Sequence, residues 1–478
     1  MRILFVFVLL VSLALDKPSA RSLGAEESRP PNVIVIYCDD LGYADIEPFG
    51  APKTKTPNLV KFAAEGRKFT DFHVTSGVCS PSRASLLTGC YPKRVGLHTN
   101  EKGGWVLFPG NQRGLNPKEI TLAEVLKTKG YATACVGKWH LGDQPEFLPT
   151  RQGFDDYFGI PFSNDMGQTT DKGRTQRKRP PTPLLRGEQV IETEPDQRQL
   201  TRRYTDEAIR FVETNRDRPF FLYLAHSMPH WPQFASDSFA GKSGNGRYGD
   251  SVEEIDASTG ELLQALTRLG IDEKTLVVFT SDNGGPIRQG ANNTPLRAGK
   301  GTTWEGGMRV PCLVRWPKTI PAGTVCGELA STLDLLPTFA RLAGAEIPTD
   351  RIIDGKDIRP LLTGQAGAHT PSDVFYHYHL GQLQAVRSGP WKLIVPHVAR
   401  PNQGKPEQTV QVSLQLYNLD DDISESRDVA SAHPEVVARL TALADHCRDD
   451  LGDESLGLAG KNCRKPGHVE NARTLTTP

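Results

Sequence analysis

The sequence lacks any excess of charge of one sign. Its 478 residues include 56 Lys and Arg and 56 Asp and Glu, so the formal net charge is zero. A basic excess would attract nucleic acid or an anionic membrane surface, and this composition offers none. We therefore expect no nucleic-acid partner, and the charges that matter for function must be grouped locally.

Long hydrophobic runs are also missing, with one short exception at the start of the chain. After Met1 and Arg2, residues 3–15 are apolar, and the small residue Ala20 follows. The run is too short for an ordinary membrane span and has the layout of a signal peptide over residues 1–20. We predict an exported protein, periplasmic, secreted or in a lysosome-like compartment, with no stable membrane anchor.

Cysteine is scarce, and no internal repeat is visible. Of the eight cysteines, Cys312 with Cys326 and Cys447 with Cys463 are close enough in sequence to form disulfides. Buried free thiols are the simpler expectation. With 45 Gly and 36 Pro, the chain is globular and rich in loops.

The sequence does contain buried strands that end in polar residues. One unbroken apolar, β-branched run predicts a parallel strand and stops at Asp39 and Asp40, and a second stops before Asp282 and Asn283. Open α/β sheets bind ligands at the carboxyl ends of their strands. A capping Asp and an Asn-Gly turn would explain each pair separately. Together they form a set of hard oxygen ligands that suits Ca²⁺ or Mg²⁺.

The most unusual stretch, residues 78–89, reads VCSPSRASLLTG. Pro81 suits the first turn of a helix and predicts one that begins just after it, with Ser80 or Cys79 as the N-cap. Cys79 would then lie at the positive end of a helix, with Arg83 one turn further on, which suits an anionic substrate. On its own, such a cysteine is more often a small buried residue.

Three further segments present cations and histidines after predicted strands or glycine turns. The hexapeptide GKWHLG places Lys138 and His140 on one face of an extended segment. His230 lies between a proline and a tryptophan, and His226 is the weaker candidate beside it. Glycines flank Lys300 and let the backbone approach closely. The string GKGTT around it lacks the leading glycine of a phosphate-binding loop, which excludes a nucleotide site.

The pattern changes beyond about residue 365. Short strands joined by turns are followed by a helix over 434–447, which predicts a small antiparallel sheet with one helix. We expect a catalytic domain over residues 30–365, a C-terminal α+β domain over 366–455, and a loosely held polar tail over 456–478.

These motifs resemble those of the formylglycine-dependent sulfatases. The order Cys-x-Pro-x-Arg at residues 79–83, continued as ASLLTG, resembles the site at which that family oxidises cysteine to formylglycine (3-oxoalanine). DDLGY after the first strand and GKWHLG match the family as well, and the resemblance extends over residues 32–429. It is closest to the arylsulfatase-type members. It implies an α/β fold, the alkaline-phosphatase-like sandwich around a large mostly parallel sheet, with a small C-terminal antiparallel sheet plus helix.

The resemblance also implies a role for each matched residue. The implied catalytic residues are Cys79, Arg83, Lys138, His140, His230 and Lys300. The implied substrate contacts are Lys138, Ser163, His230 and Lys300, with Ser163 supplied by the loop FGIPFSND. The implied ligands of a Ca²⁺ or Mg²⁺ ion are Asp39, Asp40, Cys79, Asp282 and Asn283.

In the implied reaction, the hydrated aldehyde at position 79 attacks sulfur with the help of Asp282. His230 or Lys300 protonates the departing alcohol, and His140 then deprotonates the second hydroxyl, which expels sulfate. The implied partners are a sulfated small molecule or glycan and a formylglycine-generating maturation enzyme.

Two rival functions share this layout. One is a phosphonate or phosphodiester hydrolase of the same superfamily, and the other is a non-catalytic binder of sulfated glycans in which Cys79 stays a thiol. Trp105, Trp231 and a basic run at residues 172–179 would frame a sulfated sugar polymer. Apolar packing and a solvated loop explain them equally well.

Overall fold

The structure is a computed structural model that describes Leu4 and residues 29–169, 179–399 and 409–475. The predicted signal peptide lies, Leu4 aside, outside the described residues, and so does the basic run except for Arg179. Within the described ranges, no helix combines the length and apolar character that crossing a membrane requires.

The strands, in chain order, are β1 (Asn32–Cys38), β2 (Arg67–Phe69), β3 (Phe72–His73), β4 (Arg113–Gly114), β5 (Ala132–Gly137), β6 (Asp156–Gly159), β7 (Pro183–Arg186), β8 (Gln189–Thr193), β9 (Phe220–Ala225), β10 (Thr275–Ser281), β11 (Cys312–Arg315), β12 (Thr324–Cys326), β13 (Ala330–Ser331), β14 (Phe375–His379), β15 (Gln382–Ser388), β16 (Trp391–Ile394), β17 (His397–Ala399), β18 (Val410–Val412), β19 (Gln415–Asn418), β20 (Gly452–Asp453), β21 (Leu458–Ala459) and β22 (Gly467–His468). The α-helices are α1 (Pro57–Glu65), α2 (Cys79–Thr88), α3 (Leu122–Lys127), α4 (Leu200–Asn215), α5 (Gly246–Arg268), α6 (Glu305–Met308), α7 (Leu335–Leu342), α8 (Arg359–Leu362) and α9 (Pro434–Leu451).

A ten-stranded sheet in the order β12-β2-β11-β10-β1-β9-β5-β6-β7-β8 forms the centre of the molecule. Its middle strands β10, β1, β9, β5 and β6 run parallel, whereas β11, β7 and β8 are antiparallel to their neighbours. All seven residues of β1 are buried, as expected of a strand covered on both faces. The predicted α/β class with a large mostly parallel sheet is confirmed.

Alternate residues of β1 face two separate cores. Val33, Val35 and Tyr37 pack on one side, where α2, α3 and α7 contribute apolar side chains. Ile34 and Ile36 pack on the other side with α1, α4 and α5. This alternation is the two-residue period of a strand, and it produces a helix–sheet–helix sandwich.

A second, antiparallel sheet in the order β14-β15-β16-β19 follows in the chain and is covered by α9. The predicted small sheet and its helix are therefore present. The helix extends past the predicted residues 434–447 and occupies Pro434–Leu451. The boundaries placed at residues 365 and 455 stay predictions.

The expectation of a loosely held tail is wrong for the described residues. Gly467 and His468 pair with Gly114 and Arg113 as an antiparallel ladder. Arg464 donates to both oxygens of the buried Glu119, at 2.7 and 2.9 Å. Polar composition alone gave no sign of these long-range partners, which anchor the tail to the main sheet's domain.

All eight cysteines are free thiols. Cys312 and Cys326 each pair with Phe69, but from opposite sides of β2. Two strand spacings, about 9.5 Å, separate them, which exceeds the Cα separation of about 7 Å that a disulfide tolerates. Cys447 lies on the buried face of α9, and Cys463 is exposed. The free-thiol alternative is therefore the one that the structure shows.

Candidate active site

The candidate site lies where the carboxyl ends of neighbouring parallel strands meet α2 and a glycine-rich loop. Asp39 and Asp40 follow β1, Asp282 and Asn283 follow β10, Lys138 and His140 follow β5, and His230 follows β9. Parallel strands put their carboxyl ends at one edge, so residues far apart in sequence converge there. The structure brings together the predicted site residues, namely Asp39, Asp40, Cys79, Arg83, Lys138, Ser163, His230, Asp282, Asn283 and Lys300. His140 lies close enough to Lys138, Arg83 and Asp39 for their charges to shift its pKa.

Helix α2 begins one turn earlier than predicted, at Cys79 itself, after Val78 in extended conformation. Pro81 still falls in the first turn, where its missing N–H breaks no helical bond. Ser80 does not cap the helix. Its hydroxyl instead accepts a hydrogen bond from the backbone N–H of Leu107 at 3.2 Å. Cys79 therefore occupies the first helical position, at the positive end of the helix.

Each buried aspartate of the site has a cationic partner. Arg83 donates to Asp282 through Nε at 3.0 Å and Nη2 at 2.7 Å. Lys138 contacts Asp39, and the Lys300 Nζ atom donates to Asp40 at 2.6 Å. Burying an unpaired carboxylate costs free energy because the charge loses its contact with water, and these ion pairs offset that cost.

Burial and neighbouring charges shift the pKa values of Asp39 and Asp282 in opposite directions. Burial alone would raise the pKa of Asp39, but Lys138, His230 and Arg83 hold that pKa well below its usual range. Burial and the charge of Asp39 raise the pKa of Asp282 to about 7. The two carboxylates therefore repel each other when no further positive charge lies between them.

The donor set fits a hard divalent cation. Ligand atoms of Asp39, Asp40, Cys79 and His230 lie within 4.8 Å of one another. The Asn283 amide donates to Asp40 at 2.7 Å, while its Oδ1 is buried without a hydrogen-bond partner. A cation with oxygen ligands would give this unpaired buried oxygen a partner and would reduce the repulsion between the carboxylates.

A second acidic cluster does not fit a cation. Asp71, His73 and Glu305 are also close enough to share an ion. However, Arg387 donates to both oxygens of Asp71, at 2.8 and 2.6 Å, and Arg309 lies 3.5 Å from Glu305. Protein cations already neutralise this cluster.

His140 is held as a neutral imidazole with one free nitrogen. Its Nε2 lies 2.9 Å from the carbonyl oxygen of Leu107, so Nε2 carries the proton. Its Nδ1 is buried and has no partner, which leaves a lone pair available. Burial, together with Lys138 and Arg83, holds the pKa of His140 well below the usual value. A neutral imidazole with a free nitrogen can accept a proton.

Backbone strain marks the same place. Asp40 and His140 have φ angles of 71° and 59°, in the left-handed region that non-glycine residues rarely adopt. Such conformations persist where the surrounding structure fixes a functional side chain. Here they occur at one carboxylate and one imidazole of the predicted site.

The two histidines after β9 differ in position. The Nδ1 atom of His230 lies 3.1 Å from the Asn164 side-chain oxygen, and its Nε2 lies 3.6 Å from Asp40. Burial and Lys300 lower the pKa of His230. His226 instead lies 3.5 Å from the Ser258 hydroxyl on α5, so the structure does not bring it to the carboxylates.

The predicted Ser163 lies beside the cations of the site. Its hydroxyl oxygen accepts a hydrogen bond from the Lys138 ammonium at 3.2 Å. A side chain that joins Lys138 at this point would contact an anion bound there.

The surroundings of Cys79 favour the thiol over the thiolate. Its sulfur lies 3.4 Å from Asp39, and burial and that carboxylate raise the pKa of the Cys79 thiol well above its usual range. A protonated thiol is a weak nucleophile. The unmodified side chain at the centre of this charged site is therefore poorly suited to attack an ester.

Several supporting groups escaped sequence analysis. The Tyr223 hydroxyl lies 3.5 Å from the Arg83 guanidinium. The ring centre of Tyr37 lies 5.5 Å from the same guanidinium. The Leu107 carbonyl fixes His140, and the Asn164 amide fixes His230. Both tyrosines belong to strands whose side chains the sequence indicates only as core, and Asn164 is signalled only by its neighbour Ser163.

Comparisons with known proteins agree with this geometry. The family profile described as Sulfatase matches residues 31–345, and that of the C-terminal region of aryl-sulfatase matches residues 370–468. Human arylsulfatase A is 41% identical over 460 residues, which cover 89% of this chain and 89% of that protein. The N-acetylgalactosamine-6-sulfatase of Canis lupus familiaris is 41% identical, over 78% of this chain and 73% of that protein. Among solved structures, Ps i-CgsB in complex with k-i-k-neocarrahexaose superposes with a TM-score of 0.74, at 33% identity, over 87% of this chain and 92% of that one.

Proposed function

The chain belongs to the sulfatase family and is a sulfuric ester hydrolase, and we propose that it acts through a formylglycine formed from Cys79. One observation carries the proposal. Cys79 opens α2 at the centre of the site, next to Asp39 and within reach of the cations, yet its thiol stays protonated. Oxidation to an aldehyde would replace this weak nucleophile by one that hydrates to two hydroxyl groups.

We propose a divalent cation, Ca²⁺ or Mg²⁺, as the second component. Its ligands would be Asp39, Asp40 and the oxidised residue 79, whose ligand atoms cluster, together with Asn283 and with Asp282, which accepts a hydrogen bond from the Asp40 N–H at 3.1 Å. When bound, it would supply positive charge that polarises the sulfate group and relieves the repulsion between the carboxylates.

The chain's own cations would bind the sulfate oxygens. Lys138 and Lys300 point into the site from two different segments, and Arg83 is fixed beside them by Asp282. Ser163 would add a hydroxyl donor next to Lys138. Fixed positive groups in a buried site stabilise the charge that grows during ester cleavage, and removing one such donor typically costs about 3 kcal/mol of transition-state stabilisation.

Two histidines would move the protons. His230, in its doubly protonated imidazolium form, would donate the Nε2 proton to the departing alcohol oxygen, because that atom faces the centre of the site. Lys300 is the weaker candidate, because Asp40 raises its pKa against the opposing effect of burial. His140 would use its free Nδ1 to deprotonate the second hydroxyl of residue 79, so that sulfate leaves and the aldehyde re-forms.

For the substrate we propose a carbohydrate sulfate. A cavity of about 160 Å³ adjoins the loop after Lys300 and combines Thr302, Gln384 and two histidines with the ring of Trp304. Polar groups beside an aromatic ring suit a sugar. The similar Ps i-CgsB was crystallised with k-i-k-neocarrahexaose, which supports an oligosaccharide as the ligand class. We further propose export by the N-terminal signal peptide and oxidation by a formylglycine-generating enzyme.

A substrate panel tests this function. Sulfate release would be measured from defined sulfated sugars and from nitrophenyl sulfate, with nitrophenyl phosphate and a phosphodiester of the same leaving group as comparators. We expect higher kcat/KM for the sulfates than for either phosphate, and the highest value for a sulfated sugar. Faster cleavage of the phosphodiester would favour the rival phosphodiesterase function.

A further inference from the structure

Two buried amide side chains lie behind His230 and fix its ring. The Asn164 oxygen Oδ1 lies 3.1 Å from His230 Nδ1. The Asn164 nitrogen Nδ2 donates to Gln197 Oε1 at 3.0 Å and to the backbone oxygen of Pro232 at 3.1 Å. Since both protons of this NH₂ group have acceptors, the amide has no reason to turn, and it presents an acceptor to the ring.

Gln197 is fixed in return. Its Nε2 donates to the backbone oxygen of Asn164 at 3.2 Å, and both side chains are almost completely buried. The two residues are 33 positions apart and hold each other by reciprocal hydrogen bonds. Buried amides whose donors and acceptors are all paired are stiff, because any reorientation would leave a polar group unsatisfied.

The orientation of the amide decides the tautomer of His230. An acceptor facing Nδ1 requires that Nδ1 carry a hydrogen, so Nε2 can donate only when the ring is the imidazolium and holds its second proton there. The Nε2 atom is then the one that faces Asp40 and the interior of the site. Without this contact, the ring would be free to rotate, and Nε2 would no longer be held towards the site.

We propose that Asn164, held in place by Gln197, is a positioning residue that directs Nε2 of His230 towards the leaving oxygen. The inference rests on the proton-donor role proposed above for His230. Neither amide touches the reacting atoms. Their contribution is the geometry of the proton transfer, and they matter most where that transfer limits the rate.

Leaving groups of different basicity test the proposal. Nitrophenolate departs readily without a proton, whereas the alkoxide of a sugar needs one, so loss of a general acid slows the sugar sulfate selectively, by roughly 10²-fold or more. We expect His230→Ala to show that selective loss of kcat. Asn164→Ala should show roughly tenfold selective loss on the sugar sulfate, with nitrophenyl sulfate changed much less, and Gln197→Ala should show a smaller loss of the same kind.

A double-mutant cycle separates positioning from general damage. In the His230→Ala background, Asn164→Ala and Gln197→Ala should cause no further loss, because both act through His230. The matched control is Asn32→Ala, which removes another buried amide that donates at 3.0 Å to Thr275, at the opposite end of β1. It should lower stability and leave the ratio of the two kcat values unchanged.

The outcomes distinguish the positioning role of Asn164 from the proton-donor role of His230. Equal losses on both substrates for Asn164→Ala and Gln197→Ala, with His230→Ala still selective, would overturn the positioning role alone. A fully additive double mutant would do the same. A His230→Ala variant without selectivity would overturn the proton-donor role and the positioning role with it. Gln197→Ala keeps the test decisive if Asn164→Ala fails to fold.

Discussion

Replacement of Lys392 by methionine should strongly destabilise the protein. Lys392 lies in β16, is fully buried, and contacts Glu305 at 2.9 Å and Glu425 at 2.8 Å. It also donates to the backbone oxygen of Thr303 at 2.9 Å, three residues after Lys300. The ammonium therefore joins the C-terminal sheet to the loop that carries a predicted site residue.

The expected magnitude follows from the burial of all three charged groups. Methionine fills similar space but leaves Glu305 and Glu425 buried side by side without their shared cation. Breaking a buried ion pair by removing one partner costs about 3–5 kcal/mol. Since folded proteins are stable by only about 5–15 kcal/mol, this loss is a large share of the total.

Urea unfolding followed by circular dichroism would measure the loss. The control is Lys461→Met, which removes an exposed ion pair with Asp449 at 2.6 Å, on side chains about 70% exposed. Exposed pairs contribute about 0–1 kcal/mol, so the control should unfold almost like the wild type. A Lys392→Met protein within 1 kcal/mol of its control would refute the reasoning that this cation holds the C-terminal sheet to the loop after Lys300.

Three further outcomes follow from the site. Cys79→Ser should release one equivalent of alcohol per active site and then stop, because a serine sulfate has no second hydroxyl to expel sulfate. Quenched-flow measurement of the alcohol burst tests this, and sustained turnover would contradict it. Burial lowers the pKa of His140, the proposed base, so kcat should fall only as pH drops well below the ordinary histidine value of about 6.5. A pH profile with its acid limb above that value would argue against the proposed role. Chelation should lower the melting temperature, and Ca²⁺ or Mg²⁺ at 100 times its Kd should restore about 2.7 kcal/mol; a melting temperature indifferent to both ions would exclude the metal site.

Sequence alone predicts much of this molecule because its key residues follow local rules. An unbroken apolar run before Asp39 and another before Asp282 indicate parallel strands with polar ends, and the structure places both ends together. The stretch around Cys79 carries its helix signal in Pro81 and Gly89, and only the first turn was misplaced. Such elements can be predicted because residues near them in the sequence determine their structure.

The remainder depends on contacts between distant segments. The tail from residue 456 looks unstructured by composition, yet Arg464 finds Glu119 across more than 300 positions. The amide pair of Asn164 and Gln197 carries no motif, since each residue acquires its meaning only from the partner. Sequence patterns of polarity and period contain no information about such pairings.

The state of residue 79 in active protein tests the central claim most directly. Mass spectrometry of the proteolytic peptide that contains Cys79, prepared from protein made in its own host, distinguishes a thiol from an aldehyde. We predict an aldehyde, detected by its mass and by its reaction with a hydrazine, in a fraction that matches the number of active sites titrated by burst kinetics. Fully active enzyme whose peptide carries only an unmodified thiol would contradict the account.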